Sequence, residues 1–163
     1  MRVMYMATRN GKEMLRDPLN VAFGIGFPVV VLLLLTAIQS GVPEAVFPIA
    51  TIAPGIAVFG LSFISLFSGT LVAKDRASSF LMRSFASPMT AGNFISAYVM
   101  PLFPMAIVQI CITFTVAVML GLGLGVNVLV AILTLLPSAM LFTAIGLLAG
   151  TLFNDKQVGG VCG

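Results

Sequence analysis

The chain has 163 residues, of which 60% are hydrophobic and 8% charged, with a net charge of +3 and no histidine. A soluble domain carries about a quarter charged residues, so this composition excludes a soluble enzyme and fits a polytopic membrane protein. At about 20 residues per crossing the length admits four or five spans with short loops and leaves no room for a soluble catalytic domain, and the small net charge carries no signal of a nucleic-acid partner.

The first 17 residues hold Arg2, Arg9, Lys12 and Arg16 against Glu13 and Asp17, with Val3, Met6, Met14 and other apolar residues between them. On a helix these apolar residues fall on one broad side, which predicts an amphipathic helix along the membrane surface; a basic topogenic tail is the plainer alternative. A cleaved signal peptide is not expected, because the apolar run that follows is too long and no small-residue cleavage site ends it. Span one is expected over residues 19–38, with Pro28 near its middle and Gly24 and Gly26 one turn earlier. Membrane helices tolerate such a kink when neighbours re-satisfy the freed carbonyls.

Residues 44–50, with Pro48, read as an external loop, and span two as residues 51–73. Ser62, Ser65, Ser68 and Gly69 fall close to one face, suited to tight helix packing or, alternatively, to the weakly polar wall of a substrate path. A loop over residues 74–93 follows, and it begins with a charged island from Lys74 to Pro88. Moving its Lys74, Asp75, Arg76 and Arg83 to the bilayer centre would cost roughly 10 kcal/mol or more, so the island is expected outside the lipid. Ala77, Phe80, Leu81 and Ser84 then follow i, i+3, i+4, i+7 spacing, which predicts a short amphipathic helix ending before Pro88.

From Ser84 to Asn154 there are 71 residues without a charge, about 107 Å if helical, so the chain must turn back inside this run. The glycine-rich GLGLGVN at Gly121–Asn127 is the expected turn, giving spans over residues 94–120 and 128–153, and residues 158–163 read as the start of a possible fifth span. Those glycines are not a dinucleotide fingerprint, because no strand or βαβ unit surrounds them.

The tail, the island and the 154–157 turn hold all eight Lys and Arg, while the opposite side holds only Glu44. The positive-inside rule therefore places the N-terminus in the cytoplasm. Catalytic residues, metal ligands and intramembrane charges are not found in the pattern: all five carboxylates fall at loop positions, which disfavours acid–base work and ion relays. Cys111 and Cys162 have neither disulfide nor metal spacing and read as small buried hydrophobes. Gln109, Thr113 and Thr115, with Ser62 and Ser65, are the substrate-pathway candidates, although a lone Gln more often bonds to a neighbouring helix. Gly146 and Gly150 form a GxxxG pair suited to helix association.

The segment KEMLRDP (Lys12–Pro18), the GFP at Gly26–Pro28 and LVAKDRASSFLMRSFASP (Leu71–Pro88) occur in an order that resembles the permease subunits of type 2 ATP-binding-cassette exporters. Asp75, Arg76, Leu81, Ser87 and Pro88 match the family's cytoplasmic loop, while Ala77 and Ser79 stand where an acidic residue and a glycine are frequent. The resemblance covers residues 1–93; the rest agrees in hydropathy alone. It implies an all-α transmembrane bundle with an N-terminal connecting helix and a coupling helix. Asp75, Arg76, Ser79, Phe80, Leu81, Arg83, Ser87 and Pro88 would meet a separate nucleotide-binding subunit that holds ATP and Mg, with no cofactor on this chain. It further implies a six-span permease that works as a dimer in a bacterial or archaeal cytoplasmic membrane, of which this chain would be a truncated part. The expected activity is efflux of a drug-like, lipid or other amphiphilic substrate; a non-transporting membrane scaffold and an ion-coupled carrier are the alternatives.

Overall fold

A backbone in lipid must satisfy its own hydrogen bonds, and a helix does so within one segment. A computed structural model describes residues 2–42, 46, 48–78 and 90–162, and among them every regular element is helical. These are α1 (Arg2–Arg16), α2 (Pro18–Val21), a π-helical turn (Ala22–Gly26), α3 (Phe27–Ser40), α4 (Ile49–Ala77), α5 (Ala91–Met119), α6 (Val126–Leu152) and α7 (Asp155–Cys162). Four stretches are long and apolar enough to cross a membrane: Ala22–Ser40, Ile49–Ala77, Ala91–Met119 and Val126–Leu152. The architecture is an all-α polytopic bundle.

Local chemistry sets the boundaries. Asp17 caps α2 by accepting from the Leu19 N–H at 3.1 Å, and Pro18 occupies the first helical position, where its missing N–H costs nothing. Pro28 has no donor for the carbonyl four residues back, and the wider π-helical turn lies immediately before it, closed by the Phe27 N–H on the Ala22 carbonyl. Thr90 caps α5 through the Asn93 N–H at 3.3 Å. The chain reverses between α5 and α6 at Leu120–Gly125, where Gly121 takes φ 108°, a conformation open to a residue without Cβ. Val126 and Asn127 are already helical.

Helix α4 is the hub and packs on α3, α5, α6 and α7. Its apolar window is 67% buried against 17% for the spans ending at Ser40 and Leu152, so those two helices keep broad faces for lipid. The α4–α6 seam is made of small residues. A Cβ at Gly146 would overlap Ser68 Oγ and the Ser65 carbonyl, and one at Gly150 would overlap the Gly69 carbonyl and stand 2.9 Å from Val72 Cβ. The backbones therefore approach closely, and Ser68 Oγ donates across the seam to the Thr143 carbonyl at 3.2 Å. Helix α7 folds back over this seam, with Val158 fully buried.

Helix α1 is amphipathic, and its buried residues Met6, Ala7, Asn10 and Met14 face the bundle, where α1 packs mainly on α5. The contact exploits a proline. Pro101 has no N–H for the Ala97 carbonyl, and Asn10 Nδ2 donates to that oxygen at 3.3 Å. Gly11 lies against Pro101, where an added Cβ would stand 3.3 Å from the ring.

One sequence expectation is corrected: Cys111 is exposed and Cys162 partly so, rather than both being buried. The outer surface of a span faces hydrocarbon, so a weakly polar thiol there needs no protein cover.

Candidate coupling site at the charged end of the bundle

Asp75 lies in the last turn of α4, inside the helix rather than in a loop, and its residue is only 2% exposed. Helix α4 carries Lys74, Asp75 and Arg76 within its final turns because it continues to Ala77, past the end of the charge-free run at Ala73. A carboxylate so buried needs partners on every side, since an unpaired charge in such a site is strongly unfavourable.

Two side chains, Arg9 and Tyr98, supply them. Arg9 of α1 makes a two-pronged contact, with Nη2 to Oδ1 at 2.7 Å and Nη1 to Oδ2 at 3.3 Å. Tyr98 of α5, fully buried, donates its hydroxyl to Oδ2 at 2.6 Å. Arg9 also bridges Glu13 at 3.0 Å, and Phe94 packs on the Tyr98 ring with centroids 4.9 Å apart. The hydrogen-bonded Asp75 carboxylate holds the Arg9 guanidinium above its ordinary pKa, against the opposing effect of burial. The cluster sets a guanidinium and a phenolic hydroxyl on one carboxylate and so joins α1, α4 and α5 at Asp75.

Arg76, the next residue, points the other way. It donates to the Thr151 carbonyl, to the Phe153 carbonyl at 3.0 Å and to Asn154 Oδ1 at 3.2 Å. A cation there meets unpaired carbonyls at the negative end of α6. Two consecutive residues thus tie the end of α4 to three other helices.

The other singled-out residues are scattered. Ser79, Phe80, Leu81, Arg83, Ser87 and Pro88, with the short helix expected around them, lie outside the described residues. So do Glu44, Ala45 and Phe47 of the expected external loop. Gln109 and Thr113 are buried together on α5, with Nε2 3.4 Å from Thr113 Oγ1 and 3.5 Å from the Ala57 carbonyl of α4. Gly60 makes room for this amide, since a Cβ there would stand 2.7 Å from Gln109 Cδ. Ser65 is buried in the α4–α6 seam, whereas Ser62 bonds to the Phe59 carbonyl and the exposed Thr115 to the Cys111 carbonyl. These five do not share one cavity wall. An apolar groove of about 480 Å3 lies elsewhere, lined by Phe94, Ile95 and Val99 of α5 and Met140, Leu147 and Leu148 of α6.

Sequence reasoning missed Arg9 and Tyr98. A usable signal was present: Asp75 is the only acid in the charged island, and Tyr98 stands at the start of an apolar span with a hydroxyl that needs a buried partner. Arg9 was indistinguishable from the other basic residues of the tail, because only the docking of α1 on α5 selects it.

No curated protein and no solved structure matches the chain. The model of the ABC-2 type transporter family matches residues 1–163. With its four membrane-crossing helices and its charged end tied through Asp75, the chain belongs to the ABC-2 type transporter family and is a membrane permease component of ABC transport.

Proposed function

We propose that this permease takes its power stroke from a separate ABC ATPase subunit, which binds ATP and Mg and grips the 74–93 connection. The observation that carries this reading is the Asp75 knot: the residue at the base of that connection is bonded to α1 through Arg9 and to α5 through Tyr98. A displacement of the connection would pull on α4 and, through one carboxylate, on two further helices. A hydrogen-bonded ion pair on a buried carboxylate transmits such motion because that carboxylate has few alternative partners. Arg76 extends the linkage to α6. The charged end is then cytoplasmic, a second permease copy completes the pathway, and the cargo is an amphiphile such as a drug-like molecule or lipid moved outward in a bacterial or archaeal membrane.

The test is to purify the chain with its cognate ATPase and compare Arg83→Glu with Asp75→Asn. Arg83→Glu is expected to weaken complex formation and abolish stimulation of ATP hydrolysis. Asp75→Asn should keep the complex and uncouple hydrolysis from transport. Unchanged stimulation in Arg83→Glu overturns the gripping role, and transport that ignores ATP depletion but collapses with an ion gradient overturns the ATP-driven reading. Purification without any associated ATPase points instead to a scaffold.

A further inference from the structure

A second feature of the charged end is an open cleft of about 610 Å3 between α1 and α4. Its rim carries Lys12 and Arg16 from α1 and Lys74 from α4, and its floor is Phe67, Thr70 and Leu71 of α4. The anionic groups on the same wall are engaged elsewhere: Glu13 pairs with Arg9, which also serves Asp75, and Asp17 caps α2. Among the described residues no carboxylate lies within ion-pair distance of Lys12, Arg16 or Lys74. The rim therefore has an excess of positive charge.

The floor does not end at the cleft. Phe67 begins an aromatic ledge along α4, with Phe63 at 6.5 Å and Phe59 a further 5.4 Å on, and Phe27 edge-on to Phe63 at 5.6 Å. From Phe67 to Phe59 the ledge runs about 12 Å away from the charged end, and Phe59 and Phe27 are exposed. Phe67 itself is buried where it meets the cleft, Phe63 is partly buried, and the ledge opens outward at Phe59 and Phe27; a basic rim above such an apolar ledge is complementary to an anionic head joined to an acyl chain. A soluble anion would contact the rim alone, and an acidic protein segment would leave the ledge uncovered.

We propose that one anionic phospholipid from the leaflet beside α1 occupies this cleft, with its phosphate among Lys12, Arg16 and Lys74 and an acyl chain along the outer part of the ledge at Phe63, Phe59 and Phe27. This site is independent of the coupling role of Asp75 and requires only that the chain sit in a bilayer. A bound lipid would brace α1 against α4 beside the Arg9–Asp75 pair, linking lipid composition to the charged end.

The chain has no tryptophan, so single introduced tryptophans report without background. Thr70→Trp places one in the cleft, and Leu133→Trp places one on the exposed outer face of α6. Each is reconstituted in vesicles mixing unlabelled lipid with brominated phosphatidylglycerol or brominated phosphatidylcholine, and quenching gives the relative affinity for the two heads. One basic residue near a membrane changes anionic-lipid binding about five-fold, so Thr70→Trp should prefer phosphatidylglycerol by at least about five-fold and Leu133→Trp by about one. Lys12→Gln, Arg16→Gln and Lys74→Gln together should bring the cleft reporter to the value of the α6 reporter, whereas Lys12→Arg with Lys74→Arg should keep the preference. If the triple variant loses helicity by circular dichroism, Lys74→Gln alone carries the comparison and should lower the preference. A ratio near one at Thr70→Trp, a ratio indifferent to these charge changes, or a cleft tryptophan that neither lipid quenches because a protein segment fills the site would each overturn the proposal.

Discussion

Two neighbouring parts of the α4 interface are held by different physics. At the charged end, Asp75 and Arg76 reach α1, α5 and α6 through directional bonds from long side chains. Along the α4–α6 seam, Ser65, Ser68 and Gly69 meet Gly146 and Gly150, and the helices touch backbone to backbone. In lipid there is little hydrophobic gain in bringing apolar helices together, so the seam depends on close van der Waals fit, whereas the charged end depends on keeping every buried polar group paired. The first fails when atoms are added and the second when atoms are removed.

This contrast predicts a hierarchy of effects. The largest should come from Gly146→Leu, since its side chain would meet the Ser65 carbonyl rather than a movable group. We expect a loss of about 3 kcal/mol or more, read as loss of monodisperse protein in detergent; wild-type thermal stability would show that the seam is not closely packed. Asp75→Ala should follow, at about 3 kcal/mol, because it leaves the buried Tyr98 hydroxyl and part of the Arg9 guanidinium without an acceptor. In a double-mutant cycle with Arg9→Ala the two losses should be far less than additive, and simple additivity would break the pairing. Tyr98→Phe removes a single donor and should cost about 1 kcal/mol. The smallest effect is expected for the exposed Arg76→Gln, about 0.5 kcal/mol from loss of its helix-end interaction, and it should shrink in high salt. An effect of Arg76→Gln as large as that of Asp75→Ala would erase the distinction between a buried knot and an exposed cap.

Much of the bundle was legible in the sequence. The charge-free runs mark the membrane-crossing stretches, the glycines of GLGLGVN contain the reversal at Gly121, and the small residues of α4 with the Gly146–Gly150 pair anticipate the seam. The charged island was legible as something barred from lipid, and the short helix expected within it lies outside the described residues. Its composition suggests four charges offered to water, yet Asp75 is buried, because Arg9 and Tyr98 from elsewhere in the chain converge on it. Periodicity could not tell Ser65, inside the seam, from Ser62, which bonds its own helix, since both lie near one face and a turn apart. Nor could it assign Cys111 to the outer surface, where lipid takes the place of a protein neighbour.

The sequence by itself determined the class, the spans and the segment that cannot enter a membrane, because the transfer cost of charge and the length of a helix are local properties. Only the tertiary structure decided which charges are solvated, which are locked together and which remain available at an open cleft. Arg9, Asp75 and Tyr98 become a unit because α1 docks where Pro101 frees the Ala97 carbonyl for Asn10. Pairing energies of this kind depend on distances between residues far apart in the chain, such as the 2.7 Å from Arg9 to Asp75, and no local pattern encodes such a distance.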